Sequence, residues 1–339
     1  MFLEELKVVN FRNLKNLNLR FSEVNIFYGE NAQGKTNLLE SIYFLFSGKS
    51  FRTKYEKELV RWGEESFYIK GNVKWQSQNL ILEVALSQDT KKIKINQKNL
   101  KRQKDMVFLF PLVLFSQEEI EYFKKGPSQR RFLLNRFLST LSYKYHKTLS
   151  EYYKVLYQRN LTLKNNRDVS IWNSSLIKLG SYILLERVRL IKEIKETIKE
   201  VSRSLLGVNF LDIDYFSTIP ISESEEEILR NFELKLKETE EEEKRKRYTL
   251  VGPHRDDLIL KIIKDELKYD LKRFGSAGEK KLGYIIWKLS QVKILSDKRK
   301  EKPIFLLDDL FGDLDEKKQE IVWEGIKSFQ IFISTPVRV

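Results

Sequence analysis

Cysteine is absent from the 339-residue chain, and only two histidines occur, His146 and His254. The first absence excludes a disulfide framework, thiolate metal sites and a cysteine nucleophile, and it suits a reducing cytosol. The second argues against multi-histidine metal sites and a histidine-rich acid–base centre. No apolar run approaches the roughly 20 residues that span a bilayer; Pro111 to Phe115 is a typical short one. Met1 to Asn10 carries Glu4 and Glu5 and no apolar h-region, so no secretory signal is expected there. Internal repeats, low-complexity linkers and sustained heptads are also missing.

Charge is what the chain has in quantity. Lys plus Arg number 62 against 48 Asp plus Glu, a net +14. Such an excess points to a polyanion, either nucleic acid or an anionic membrane surface. Its plainer reading is a lysine-rich surface that serves solubility. Apolar residues make up 41%, enough to bury a core. The length allows two domains, or one large domain carrying an insertion.

Leu3 to Val9, Asn16 to Phe21 and Val24 to Tyr28 read as strands, the last running into Gly29. From Thr36 a helical stripe of Leu38, Leu39, Ile42, Tyr43, Leu45 and Phe46 stops at Gly48. Phe67 to Asn96 alternates with period two between turn residues and predicts an antiparallel meander. After Phe115 the character becomes helical. Pro127-Ser128 opens a helix, with Ser128 as N-cap candidate, and the patterning continues to about Gly207. Glu225 to Arg247 predicts a solvated helix with opposite charges one turn apart. Strands return at Leu258 to Ile263, Pro303 to Leu307 and Ile331 to Ser334, with a helix over Gly278 to Lys298. The expected organisation is an α/β head, residues 1–115 and 248–339, split by a mostly helical insertion, residues 116–247.

Gly29-Glu30-Asn31-Ala32-Gln33-Gly34-Lys35-Thr36 fits GxxxxGK[ST], between a predicted strand and a predicted helix. The glycines let backbone N–H groups turn toward phosphate oxygens, and the helix N-terminus adds a favourable dipole. Lys35 is placed to reach the β- and γ-phosphates, and Thr36 to hold Mg²⁺ through its hydroxyl. The acidic partner such a site needs is at the end of an apolar strand, Asp308-Asp309. Asp308 would bind the metal directly or through water, and Asp309 would polarise the attacking water. Between them, Phe274-Gly275-Ser276-Ala277-Gly278-Glu279-Lys280 precedes a helix and offers a hydroxyl and N–H groups to phosphate.

The order P-loop, Ser-x-Gly-Glu, apolar-Asp-Asp resembles that of ABC-type ATPase heads. The strings themselves resemble the RecF family, relatives of the SMC ATPases. Matching strings are Asn10-Phe11-Arg12-Asn13, Asn31 to Glu40 (including Asn37), Ser50-Phe51-Arg52-Thr53, Gly126-Pro127-Ser128 with Arg130 to Leu133, Gly252-Pro253-His254-Arg255-Asp256-Asp257, Phe274 to Glu279 and Leu306 to Asp309. They span nearly the whole chain in family order. The resemblance implies an ATP-dependent homodimer in which Ser276, Gly278 and Glu279 of one subunit cap the γ-phosphate held by Lys35 of the other. It implies a glutamine-loop role for Gln117 toward Mg²⁺, phosphate contact for Arg12, a similar part for Arg52, and a D-loop role for Asp315. It further implies slow ATP hydrolysis, binding to gapped or junction DNA in the cytoplasm at the nucleoid, and work with RecR, RecO and RecA in recombinational repair, replication and SOS induction. Asp309 stands where transporter ATPases carry Glu, one methylene longer. The histidine that transporter heads place near Ser334-Thr335 is absent. The chain ends sooner after that strand than the family leads one to expect, with a short tail or a truncated one.

Three basic clusters are candidates for DNA contact: Lys91, Lys92, Lys94, Lys98, Lys101, Arg102 and Lys104 on the meander; Lys124, Lys125, Arg130, Arg131 and Arg136; and Lys144, Lys147, Lys154, Arg159, Lys164 and Arg167, interleaved with Tyr143, Tyr145, Tyr152, Tyr153 and Tyr157. Phosphate contacts give salt-dependent affinity with little sequence readout, and tyrosines can stack on exposed bases. The plainer reading of each cluster is a solvated face, and of the tyrosines core packing. His254 reads as a satisfied structural histidine, with Arg255 and Asp256 pairing with each other or shaping the signature loop. Two competing classes are a transporter ATPase subunit and a structural SMC-type head. Transporter subunits place the P-loop and signature much closer together than Thr36 and Ser276 lie. An SMC-type head carries long coiled coils, whereas an insertion of this length reaches at most ~100 Å as paired helices.

Overall fold

The computed structural model describes residues 1–30, 32–88, 90–102, 105–309 and 316–336. In chain order they form β1 (Phe2–Phe11), β2 (Leu14–Arg20), β3 (Val24–Tyr28), α1 (Lys35–Ser47), β4 (Ser66–Trp75), β5 (Gln78–Ser87), β6 (Thr90–Ile95), β7 (Lys98–Asn99), α2 (Met106–Leu109), β8 (Leu112–Phe115) and α3 (Gln117–Lys124). Four long helices follow: α4 (Pro127–Leu141), α5 (Tyr143–Lys164), α6 (Ser170–Leu206) and, after β9 (Leu211–Phe216), α7 (Glu225–Lys246). The chain closes with β10 (Asp257–Lys264), β11 (Leu267–Asp270), α8 (Leu271–Phe274), α9 (Ala277–Arg299), β12 (Ile304–Asp308), α10 (Glu316–Ile326) and β13 (Gln330–Thr335).

Two compact units result. The first comprises residues 1–121, 203–207 and 276–339; the second comprises 122–202 and 208–275. In the first, an antiparallel sheet runs β2-β1-β4-β5-β6-β7 and a second sheet runs β3-β13-β12-β8. The second sheet is parallel throughout, with Leu306 opposite Phe332 and Ile333 opposite Ile26. Its central strands β12 and β13 are buried along their whole length, so they read as continuous apolar runs rather than alternating ones. Helix α1 packs against strands of both sheets. Residues Leu38 through Phe46 are therefore all buried, not one stripe of them. Edge-on contacts of Phe67 with Phe11 (5.2 Å) and Phe44 (5.4 Å) tie α1 to the antiparallel sheet.

The second unit holds α4, α5, α7, α6 as far as Ser202, and a three-stranded antiparallel sheet, β11-β10-β9. This differs from the expected boundaries. Residues 248–275 group with the second unit because β10 pairs along its length with β9, a strand inside the segment read as helical. Two aspartates disguise β9. Asp212 is compensated by Lys268 on β11 (2.7 Å) and Asp214 by Lys261 on the adjacent β10 (2.5 Å). Helix α4 also starts differently: Gly126 is the N-cap and Pro127 takes the first turn, where its missing N–H costs nothing. Ser128 instead bonds Gln129.

Candidate nucleotide site

The first unit builds one site from four elements. Loop 29–34 leaves β3 and enters α1. Gly34 has φ +100°, and a Cβ there would stand 2.7 Å from Asn13 Oδ1, so both its backbone conformation and its crowded surroundings call for glycine. Asn13, in the β1–β2 turn, in turn accepts a hydrogen bond from Asn37 Nδ2 at 2.9 Å. Lys35 Nζ donates to the carbonyls of Gly29 and Glu30, both at 2.6 Å, and folds the loop around itself. Gly34 caps α1 without a side-chain acceptor, and the helix places no acid of its own in its first turn, so its positive end is turned to the loop.

Parallel pairing brings the acidic strand end beside this loop. Thr36 Oγ1 donates to Asp308 Oδ1 at 2.9 Å, and the Ser334 hydroxyl, register partner of Asp308 on β13, donates to the same oxygen. Burial pushes the Asp308 carboxyl above its usual range despite these two bonds. Asp309 takes a left-handed conformation (φ 53°); its N–H donates to Ser334 O at 3.1 Å, and its own carbonyl accepts from Lys281 Nζ at 3.0 Å. The cleft so formed, about 430 Å³, is lined by Asn13, Lys35, Thr36, Arg52, Asp309 and Ser334 among others. A buried carboxylate and a hydroxyl converging 2.9 Å apart are hard oxygen donors of the kind Mg²⁺ accepts alongside phosphate oxygens and water. The residues present therefore fit that ion.

Around the cleft, two arginines gather on one buried acid. Arg12 binds Glu40 through Nε and Nη2, both at 3.0 Å, and donates from Nη1 to Glu58 O at 2.9 Å. Arg52 donates to Asn37 Oδ1 at 2.8 Å, lies 3.5 Å from Glu40 and 3.7 Å from Glu118. Gln117, beside Glu118 at the start of α3, is exposed, while the next acid, Glu119, is buried against Tyr284 (2.7 Å) and Lys288 (2.5 Å). Glu40, Glu118, Lys281 and Ser334 were not singled out from sequence. An acid inside the apolar run of α1 was a legible signal for Glu40; Ser334 and Lys281 become neighbours of the site only through tertiary packing.

Ser276 opens α9 with a reciprocal cap: its Oγ accepts from Glu279 N at 3.2 Å and Glu279 Oε2 accepts from Ser276 N at 2.7 Å. Ser276 is exposed, and a Cβ on Gly278 would meet nothing within 4 Å, so the first turn of α9 is open to an approaching group. None of Ser276, Gly278 and Glu279 lines the Lys35 cleft. Asn31 and Asp315 lie outside the described residues.

The basic clusters divide. Lys92, Lys98, Lys101 and Arg102 are exposed and Lys94 is half-buried, but Lys91 is folded in, paired with Glu56, bonded to Gly48 O and set over the Phe44 ring. Arg130 forms a two-point ion pair with Asp257 (2.8 and 2.6 Å), and Arg131 donates to Asp256 O at 2.6 Å. Both act as struts inside the second unit rather than as an open patch. Arg159 is buried against Glu243 at 2.7 Å, and Tyr145 and Tyr152 are core residues; of the interleaved tyrosines, Tyr153 and Tyr157 are exposed. His254 Nδ1 lies 2.7 Å from the Tyr152 hydroxyl and Nε2 lies 3.2 Å from Thr249 O, a neutral, satisfied imidazole whose pKa burial pushes down to about 3. Arg255 and Asp256 do not pair: Asp256 binds Arg187 at 2.8 Å, and Arg255 bonds Thr249 O and covers the Tyr248 ring.

A P-loop joined to an apolar-Asp-Asp strand end, on a parallel sheet flanked by an antiparallel one, defines an ABC/SMC-type ATPase head. The family model described as RecF/RecN/SMC N terminal domain matches residues 2–337. The chain is 37% identical to the DNA replication and repair protein RecF of Alkaliphilus oremlandii, covering 99% of this chain and 93% of that one. It is 35% identical to the RecF of Clostridioides difficile, covering 99% and 91%. A solved structure of the recombination mediator protein RecF with ATP, in the RecFOR pathway, superposes with a TM-score of 0.89 at 34% identity over 99% of this chain and 93% of that chain. An SMC head bound to the C-winged helix domain of ScpA shares the fold at TM-score 0.56 and 16% identity, covering 100% of this chain and 90% of that one. The chain belongs to the RecF family.

Proposed function

We propose that this protein is an ATP-dependent DNA-binding factor of recombinational repair, and a slow ATPase. One observation carries the reading: the pair Lys35-Thr36 and the sequence-remote Asp309 line one cleft, and Asp308 is joined to Thr36 at 2.9 Å. The names and ATP-bound state of the RecF relatives support it.

In this reading Lys35 exchanges its two loop carbonyls for β- and γ-phosphate oxygens. Thr36 and Asp308 would hold Mg²⁺, which would offset phosphate charge. Asp309 polarises the attacking water. Arg12 and Arg52 carry positive charge to the phosphate rim, Gln117 would sense Mg²⁺ as the glutamine-loop residue, and Asp315 would cross the dimer seam as the D-loop residue. Ser276 and Gly278, absent from their own cleft and open to approach, would with Glu279 cap the γ-phosphate of a second copy. ATP binding thus closes a homodimer on duplex, gapped or junction DNA, and slow hydrolysis opens it. DNA phosphates meet the exposed lysines of the β6–β7 hairpin. Partners are RecR, with RecO and RecA in the pathway, in the cytoplasm.

Sedimentation with and without ATP–Mg²⁺ tests this. Lys35→Ala is expected to lose nucleotide binding and stay monomeric. Asp309→Asn is expected to bind ATP and accumulate as dimer. An Asp309→Asn protein that binds ATP and remains monomeric would refute the composite-site mechanism.

A further inference from the structure

Trp62 is 97% exposed, the barest large apolar side chain among the described residues. Tryptophan is ordinarily among the most covered side chains, so a bare indole asks what covers it. Its backbone is not loose. Arg61 N donates to Asn10 O at 2.8 Å, Arg61 Nη1 donates to Asn13 O at 2.6 Å, and Arg12 N donates to Leu59 O at 2.7 Å. These bonds fasten residues 59–61 to the β1–β2 turn, whose Asn13 lines the nucleotide cleft. Trp62 is the next residue along, about 3.8 Å on by Cα spacing.

Beside the carboxyl residue Asp309, the cleft lining supplies hydroxyls, amides and cations suited to a triphosphate; none of its described lining residues is aromatic. Phosphates are provided for and a base is not, while an uncovered indole is fastened to the rim. We propose that Trp62 stacks on the purine base of the nucleotide whose phosphates the P-loop holds, an inference that rests on the nucleotide-site reading above. Stacking tolerates any purine, because every base offers a π-face. Its fastening to the rim favours the single nucleotide whose phosphates are taken up in the cleft, and the charges around it in sequence, Glu56, Glu58, Glu64 and Glu65 against Lys54, Lys57 and Arg61, offer a polynucleotide backbone no net attraction.

The test titrates the full chain, Trp62→Phe and Trp62→Ala with ATP and, separately, with inorganic tripolyphosphate, by calorimetry and by tryptophan fluorescence. Replacing a bare side chain leaves the fold in place. Trp62→Ala is expected to weaken ATP about tenfold and leave tripolyphosphate binding unchanged, with Trp62→Phe recovering most of the loss. ATP is expected to quench wild-type fluorescence and tripolyphosphate is not, and the quench disappears in Trp62→Phe. Undiminished ATP affinity in Trp62→Ala overturns the proposal, and if that variant loses DNA instead, the indole faces nucleic acid. A wild-type chain that binds neither probe refutes the P-loop reading itself and the stacking role with it.

Discussion

At the scale of single residues, the second unit keeps a histidine neutral. His254 is held between the Tyr152 hydroxyl and the Thr249 carbonyl, and burial pushes its pKa down to about 3. Beside it, Gly252 has φ +125°, and a Cβ there would stand 2.7 Å from the Tyr152 hydroxyl, so the packing admits no side chain. The unfolded chain takes up a proton on this histidine near its ordinary pKa of about 6.5, and the native state refuses it. Stability is therefore intact above that value and falls as the pH drops toward the native pKa, by about 1.4 kcal/mol per pH unit. Between about pH 7 and about pH 5 the wild type is expected to lose about 2 kcal/mol more than His254→Gln, read from chemical unfolding at both pH values. Equal losses would show the imidazole accepting its proton inside the fold. A structural role was legible from the single histidine in a Gly-Pro-His-Arg string. Its partners were not, because Tyr152 lies on a helix about a hundred residues earlier.

At the scale of elements, α7 and β9 mark the two ends of legibility. Helix α7 announces itself: Ser224 caps it with its hydroxyl accepting from Glu227 N, acids fill its first turn and bases its last, and pairs such as Lys237–Glu233 and Lys246–Glu242 lie one turn apart. Amid that charge one residue differs. Glu243 is buried and faces Arg159, itself buried, at 2.7 Å, and its other oxygen accepts from Leu250 N at 2.7 Å. Removing one partner of a buried pair strands the other, so Glu243→Ala is expected to cost about 3–5 kcal/mol. Glu242→Ala, one position away on the solvated face, is expected to leave the unfolding midpoint unchanged. Strand β9 hid because its aspartates lower strand propensity, and lysines remote in sequence, on α6, β10 and β11, offset them.

At the scale of the whole molecule, the net charge of +14 overstates what is available to a polyanion. Arg130, Arg131, Arg159 and Lys91 are bound to acids or carbonyls of their own unit. Lys92, Lys98, Lys101 and Arg102, on and just beyond the β6–β7 hairpin, are exposed. If these four meet phosphates, replacing Lys98, Lys101 and Arg102 by alanine flattens the salt dependence of DNA affinity. The slope of log K against log salt is expected to fall by about 2–3 in magnitude, measured with a duplex over a salt series. Wild-type slope in the triple variant would move DNA contact to another face.

The sequence alone determined the family and the order of most elements. A P-loop needs contiguous residues, because a turn and a helix start are local structures, and so Gly29 to Thr36 could be read directly. The same locality exposed the Ser276 cap and the meander. Tertiary structure decided what pairing at a distance creates: Ser334 on the Asp308 carboxylate through the β12–β13 register, Glu40 collecting Arg12 and Arg52, and β9 drawing residues 257–264 out of the head and into the second unit. It also decided which charges remain open to a partner. Exposure and ion pairing depend on what packs beside a residue, and a neighbour remote in the chain leaves no mark on the local pattern.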